Sequence, residues 1–203
     1  GGLALRSVVE LGSEEQKAAY AQRLARGELL GAFALTEPEH GSDSVALETT
    51  ARKVAGGWVI DGQKKWIGNG AAGGITLVWA RDEQGQVRGF IVPQETEGYS
   101  AEPIVRKGVL RALHQSLITL DSVKVGDEAL LPGANSFADT ARVLEATRVN
   151  IGWSALGHAT ALFEGALQYT QARVQFGKPL AAQQTVQERL SQMLEAITSM
   201  QLQ

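Results

Sequence analysis

The chain has 203 residues, 44% of them apolar and 20% charged, which is enough to bury one large core or two small ones and excludes wholesale disorder. Nineteen Lys and Arg stand against 22 Asp and Glu, a net charge of -3, so a polybasic nucleic-acid binder is not expected. Cysteine is absent, which excludes disulfides, thiol nucleophiles and Cys-ligated metals and fits the cytosol. The longest uncharged stretches, 66–80 and 149–163, have fifteen residues each and contain Asn, Gly or His. A membrane span needs about 20 mostly apolar residues, so none is expected, and no charged-then-apolar leader opens the chain.

Residues 1–30 read as short helices. Ser13 and Gln16 form a capping-box pair, Gly27 is a stop, and Ala18, Ala19, Tyr20 and Leu24 give a modest apolar face. Helices this short cannot make a core alone, so the segment reads as the tail of something larger. Residues 31–135 read as antiparallel β. Val45, Leu47, Thr49 and Ala51 alternate with Ala46, Glu48, Thr50 and Arg52, and Gly56-Gly57 and Asp61-Gly62 are hairpin dipeptides flanking Trp58-Val59-Ile60. Strands at 75–79, 87–92 and 117–123 continue the series toward a barrel or sandwich. Residues 136–203 are helical. Ser136 and Asp139 open a long helix rich in Gly and Ala, Pro179 marks a break, and Val186, Leu190, Met193, Leu194 and Ile197 form one stripe. Such uncovered stripes call for partners elsewhere in the chain or in another subunit.

Three segments carry chemistry. Phe33 to Ser44 is a strand running into a turn rich in hydroxyls and carboxylates, either a solvated loop or an edge that cradles a polar cofactor. Gln63 to Gly70 sets Trp66 beside two glycines, either a sheet-packed indole or a flat wall for an aromatic cofactor. Arg173 to Leu180, with Gln183 and Gln184 after it, is an inter-helix turn whose basic residues suit an anion. The three histidines have no metal-site spacing, and no Gly-x-Gly-x-x-Gly links a strand to a helix.

Taken in order, Thr36-Glu37-Pro38-x-x-Gly41-Ser42-Asp43, Lys65-Trp66-Ile67-x-Asn69, and Arg173-x-x-Phe176-Gly177 with Gln184 resemble the acyl-CoA dehydrogenases. Residues 88–92 and 131–134 look like the glutaryl-CoA dehydrogenase and short-chain acyl-CoA oxidase branch. The resemblance runs from about Glu14 to the end. It implies an α+β fold with a central antiparallel, barrel-like β-domain between the end of an N-terminal helical domain and the start of a C-terminal one. It also implies FAD as cofactor and an acyl-CoA thioester oxidised to a trans-2-enoyl-CoA. A homodimer or homotetramer is implied, with an electron-transfer flavoprotein as acceptor. The location would be cytoplasmic in a bacterium, and mitochondrial or peroxisomal in a eukaryote.

By the same resemblance Phe33, Leu35 and Thr36 line the flavin through backbone groups, and Ser42 lies between flavin and acyl-CoA. Glu37, Glu39 and Asp43 belong to the cofactor turn, on the flavin side. Trp66, Ile67 and Gly68 pack against the flavin ring. Glu145 and Arg148 meet the CoA moiety, and Arg173 and Gln184 reach the FAD of a neighbouring subunit. The catalytic glutamate is expected beyond Gln203, so no catalytic residue falls within the chain. Gly68 departs from the Thr or Ser usual there and lacks the hydroxyl donated toward flavin N5. Acyl chain length is not legible. An oxygen-using acyl-CoA oxidase and a non-catalytic flavin-binding or assembly module are the alternatives.

Overall fold

A computed structural model describes residues 2–203. Helix α1 (Gly2–Leu11) buries Ala4, Ser7, Val8 and Leu11, the i, i+3, i+4, i+7 face of a 3.6-residue repeat. Ser13 then caps α2 (Glu14–Gln16) by a complete capping box, as the sequence led us to expect. The Gln16 side chain also donates to the carbonyls of Glu128 and Leu130, at 2.7 and 3.0 Å, tying this helix start to the far end of the sheet. A π turn (Lys17–Ala21) leads into α3 (Gln22–Ala25). Gly27, at φ +71°, ends the helix, with the Glu28 N–H bonded to the Arg23 carbonyl and the Gly27 N–H to that of Leu24. This is the paired carbonyl capping that a left-handed residue permits.

Seven strands form one curled sheet: β1 (Gly31–Ala34), β2 (Thr50–Val54), β3 (Gly57–Gly68), β4 (Ile75–Arg81), β5 (Val87–Pro93), β6 (Tyr99–Pro103) and β7 (Gln115–Gly126). The spatial order is β1-β4-β2-β3-β7-β6, with β5 antiparallel to β4 over its whole length. The barrel-like α+β architecture holds, but the sheet is mixed. β1 runs parallel to β4 from Gly31↔Ile75 to Ala34↔Val78, and β2 meets β4 in parallel at Thr50↔Arg81. Two intervening strands separate β1 from β4 in the chain, so their connection is a crossover and parallel pairing is open to them. Both faces of β4 are covered. Leu77 and Trp79 join a core with Ala4, Val8, Leu11 and Leu24 of the helices. Val78 and Ala80 join a second core with Ile60, Phe90, Ile118 and Val123. Two-sided burial is why this strand reads as an unbroken apolar run rather than an alternation.

Three local expectations are corrected. Residues 45–49 are not a strand: Ser44–Ala46 is a 3-10 turn with Val45 exposed, and the alternation of burial begins at Leu47. Asp61-Gly62 is not a hairpin turn but lies within β3, where Asp61 faces a two-residue bulge of β7 and accepts the Ser122 N–H at 2.7 Å. Gly62 has φ +149°, and a Cβ there would lie 2.6 Å from Thr49 Oγ1, so a close approach rather than a turn requires the glycine. Strand β6 was not anticipated, because Tyr99-Ser100-Ala101-Glu102-Pro103 carries little apolar alternation.

The long helix α4 (Phe137–Ala172) starts where Asp139 accepts the N–H groups of Asn135 and Ser136 at 3.0 and 3.1 Å. The break after it is a small hairpin of β8 (Val174–Gln175) and β9 (Lys178–Pro179), turned by Phe176 and Gly177 at φ +53° and +73°. Helix α5 (Gln184–Leu202) follows, with Ile197 buried, Val186, Leu190 and Met193 partly so, and Leu194 of the expected stripe exposed. By its contacts the chain divides into two compact units, one ending at Ala146 and one running Thr147–Gln203. Among the described residues no helix is long and apolar enough to cross a membrane.

Candidate functional site

The turn after β1 owes its shape to one carboxylate. Phe33 packs against Trp79, ring centroids 5.8 Å apart, and Leu35 is buried, so the strand end is anchored in the core. Glu37 then points inward. It accepts the N–H groups of Glu48 and Thr49 at 2.6 and 2.9 Å, the Thr49 hydroxyl at 2.5 Å and the Lys64 ammonium at 2.8 Å. Lys64 also donates to the Leu35 carbonyl at 3.1 Å. Burial alone would raise the Glu37 pKa, but the Lys64 charge and these donors hold it down to about 2. Burial pulls the Lys64 ammonium down to about 8 against the opposing pull of Glu37. Glu37 is therefore the hub of the turn, with its oxygens committed inside the protein. Pro38, Glu39, Gly41, Ser42 and Asp43 are exposed around it.

Strand β3 meets this turn at a second bulge. Lys65 and Trp66 stand opposite the single Leu117 of β7, and the Lys65 N–H donates to the Thr36 carbonyl at 2.9 Å. Trp66 has φ +63°, a conformation uncommon for a bulky residue, and 48% of it remains exposed. The Lys65 ammonium lies 5.7 Å from its ring centroid. Ile67, next along, is buried, and the Asn69 N–H donates to the His114 carbonyl at 3.0 Å. A Cβ on Gly68 would meet only the Leu113 side chain, at 3.6 Å, so neither backbone nor packing requires glycine there. The fold thus joins Thr36 to the Lys65-Trp66 bulge, with Leu35 linked to the same strand through Lys64. Leu35 and Ile67 are buried and Phe33 packs inward against Trp79.

The remaining sequence candidates are on α4 and around the β8–β9 hairpin. Glu145 lines an open groove of about 500 Å³ with Arg6, Glu10, Arg142 and Ala146. Arg148, one helical turn further along α4, is exposed. In the second unit Arg173 and Gln184 bracket the β8–β9 hairpin, and both are exposed. Among the described residues no cluster of His, Asp or Glu could hold a metal. Sequence reasoning missed Lys64 and the inward role of Glu37. Their only signal was a charged residue at an inward position of a strand whose register is set by bulges.

An exposed indole face on a strained bulge, beside a turn bearing the Thr36 and Ser42 hydroxyls, suits a flat aromatic ring with polar edges. The family model for the acyl-CoA dehydrogenase middle domain matches residues 32–123, and that for the acyl-CoA dehydrogenase C-terminal domain matches residues 137–203. The chain belongs to the acyl-CoA dehydrogenase family. It is 38% identical over 191 residues to an acyl-CoA dehydrogenase of Bacillus subtilis (strain 168), covering 92% of this chain and 50% of that protein. A crystal structure of glutaryl-CoA dehydrogenase from Mycobacterium smegmatis superposes with a TM-score of 0.97 at 39% identity, covering 100% of this chain and 52% of the other. The structure of a glutaryl-CoA dehydrogenase from Mycobacterium smegmatis in complex with FADH2 gives 0.96, also at 39% identity and with the same coverage. The chain spans about half the length of the relatives it matches.

Proposed function

We propose that this chain supplies the flavin-binding middle of an FAD-dependent acyl-CoA dehydrogenase, an oxidoreductase that converts an acyl-CoA thioester into its trans-2-enoyl-CoA. The observation that carries the reading is the half-exposed Trp66 on its left-handed bulge, hydrogen-bonded through Lys65 to Thr36. The likeness to a structure solved with FADH2 supports it. Bound FAD supplies the acceptor for a hydride from the acyl β-carbon. The chain's own part is to hold and orient. Trp66 offers a flat face, Ile67 and Gly68 a backbone edge, and Phe33, Leu35 and Thr36 the backbone groups of the facing turn. Ser42 lies where flavin and acyl chain meet. Glu145 and Arg148 hold the CoA moiety, the guanidinium suiting its anionic or adenine groups. Arg173 and Gln184 serve the FAD of a neighbouring copy in a homo-oligomer, and an electron-transfer flavoprotein removes the electrons. The family resemblance puts the base for the α-proton in a glutamate beyond Gln203, and Glu37, held by the Glu48 and Thr49 amides and by Lys64, is not free to take that part. A glutaryl thioester is the first substrate to try.

FAD titration followed by fluorescence tests the reading: Trp66→Ala is expected to weaken binding about tenfold or more. An unchanged affinity would remove Trp66 from the site. One observation favours an oxygen-using oxidase as a second reading. Gly68 is small without a steric reason, which leaves the place of a donor hydroxyl open. Reoxidation of the reduced, full-length enzyme in air separates the two.

A further inference from the structure

Strands β1 and β3 are not neighbours in the sheet: β1 pairs with β4, and β3 pairs with β2 and β7. No ladder of hydrogen bonds therefore sets the distance from the end of β1 to the bulge of β3. Near the bulge two links do so, the Lys65 N–H to the Thr36 carbonyl and the Lys64 ammonium to the Leu35 carbonyl and Glu37, while at the other end of β1 the Asn69 amide donates to the Gly31 carbonyl at 3.4 Å. The Lys64 side chain is 0% exposed and that of Glu37 5%. An ion pair taken this far from water returns little more than a well-packed apolar pair of the same volume, and often less. Filling space is therefore a poor explanation for it. What an apolar pair lacks is direction. This pair fixes the Leu35 carbonyl, the Glu48 and Thr49 amides and the strand two residues before Trp66 in one arrangement.

We propose that Lys64 and Glu37 are positioning residues, a buried strut that sets the separation of the Leu35-Thr36 backbone from the Trp66 bulge and so the width of the flavin site. The flavin half of this inference rests on the function proposed above.

The test compares Lys64→Met with Val123→Ala, a core truncation away from the strut that serves as a control for general destabilisation. Amide hydrogen exchange on the protein without FAD is read at 35–37 and 64–67, and FAD affinity and the fluorescence of bound flavin are read by titration. Lys64→Met is expected to raise exchange at both segments at least tenfold, weaken FAD about tenfold, and relieve quenching of the flavin by Trp66. The control is expected to change none of these locally. If Lys64→Met fails to fold, Glu37→Gln keeps the side-chain shape and is expected to move the same readouts in the same direction. Unchanged exchange at the two segments overturns the strut. Raised exchange with FAD affinity within twofold overturns its role in the flavin site. Failure of the parent chain to bind FAD would instead sink the functional reading, and exchange alone would still decide whether Lys64 joins the two segments.

Discussion

In the unit ending at Ala146, Trp79, Phe90, Leu77, Ile118 and Leu131 are wholly buried, whereas among residues 147–203 only Ile197 is buried, and it keeps 7% exposure. Ile151, Trp153, Leu162 and Tyr169 of α4 are each more than 60% exposed, and Phe176 at the hairpin tip is 96% exposed. The two regions are similarly supplied with apolar side chains, so the contrast comes from geometry. A curled sheet presents two faces; helices α1 and α3 cover part of one, and the curl folds the other onto itself. Two helices joined by a short hairpin can cover only one stripe each, and α4 carries apolar residues around more than one stripe. A helix with apolar residues on several faces belongs inside a larger assembly. The proposed homo-oligomer gives those faces a partner, while the sheet unit needs none for its core.

The sharpest way to break this contrast is to truncate matched tryptophans. Trp79→Ala removes an indole from the centre of the sheet unit and is expected to cost about 3–5 kcal/mol, read as a lower urea midpoint. An effect below about 1 kcal/mol would mean that the sheet core is not the cooperative unit. Next in size is the acid limb. The folded state holds Glu37 at about 2 against an ordinary 4.5, so it binds this proton less readily than the unfolded chain. The stabilisation this gives is present above pH 4.5 and is lost as the pH falls through about 2. Urea unfolding at pH 7, 4 and 3 should show that loss in the parent and a flatter limb in Glu37→Gln.

Gly62→Ala probes how tightly the sheet unit closes. The new Cβ would fall 2.6–2.9 Å from Thr49 atoms at a backbone angle that L residues rarely adopt, for a cost of about 1–3 kcal/mol by thermal unfolding. Gly68→Thr has room, so its stability should stay within about 0.5 kcal/mol of the parent. Its effect belongs to chemistry: in the complete reduced enzyme a new donor is expected to slow reaction with oxygen by about tenfold or less. Identical reoxidation at normal FAD content would make Gly68 a packing residue only. The smallest effect sharpens the opening contrast from its other side. Trp153→Ala, at 66% exposed, should change the stability of this chain by no more than about 0.5 kcal/mol. A loss comparable with that of Trp79→Ala would show that α4 is already covered in solution.

What the sequence determined by itself lies within a few residues of each signal. The Ser13–Gln16 capping box, the stop at Gly27, the α4 start at Asp139 and the α5 stripe follow from neighbours three or four positions apart, and the hairpin read at Gly56-Gly57 forms one residue earlier, at 55–56. Their geometry is settled by local backbone sterics and hydrogen bonds. The ordered motifs at 36–43, 65–69 and 173–184 likewise pointed to the family before any fold was known. The parallel pairing of β1 with β4, the bulges that place Asp61 and Trp66, and β6 as a strand were decided only when distant segments met. So was the inward turn of Glu37. Its side chain looks like any carboxylate in a polar turn until Thr49, 12 residues on, and Lys64, 27 residues on, arrive beside it. Strand register and the burial of a charge depend on which partner is present across the gap, and the residues next to it in the chain carry no record of that partner.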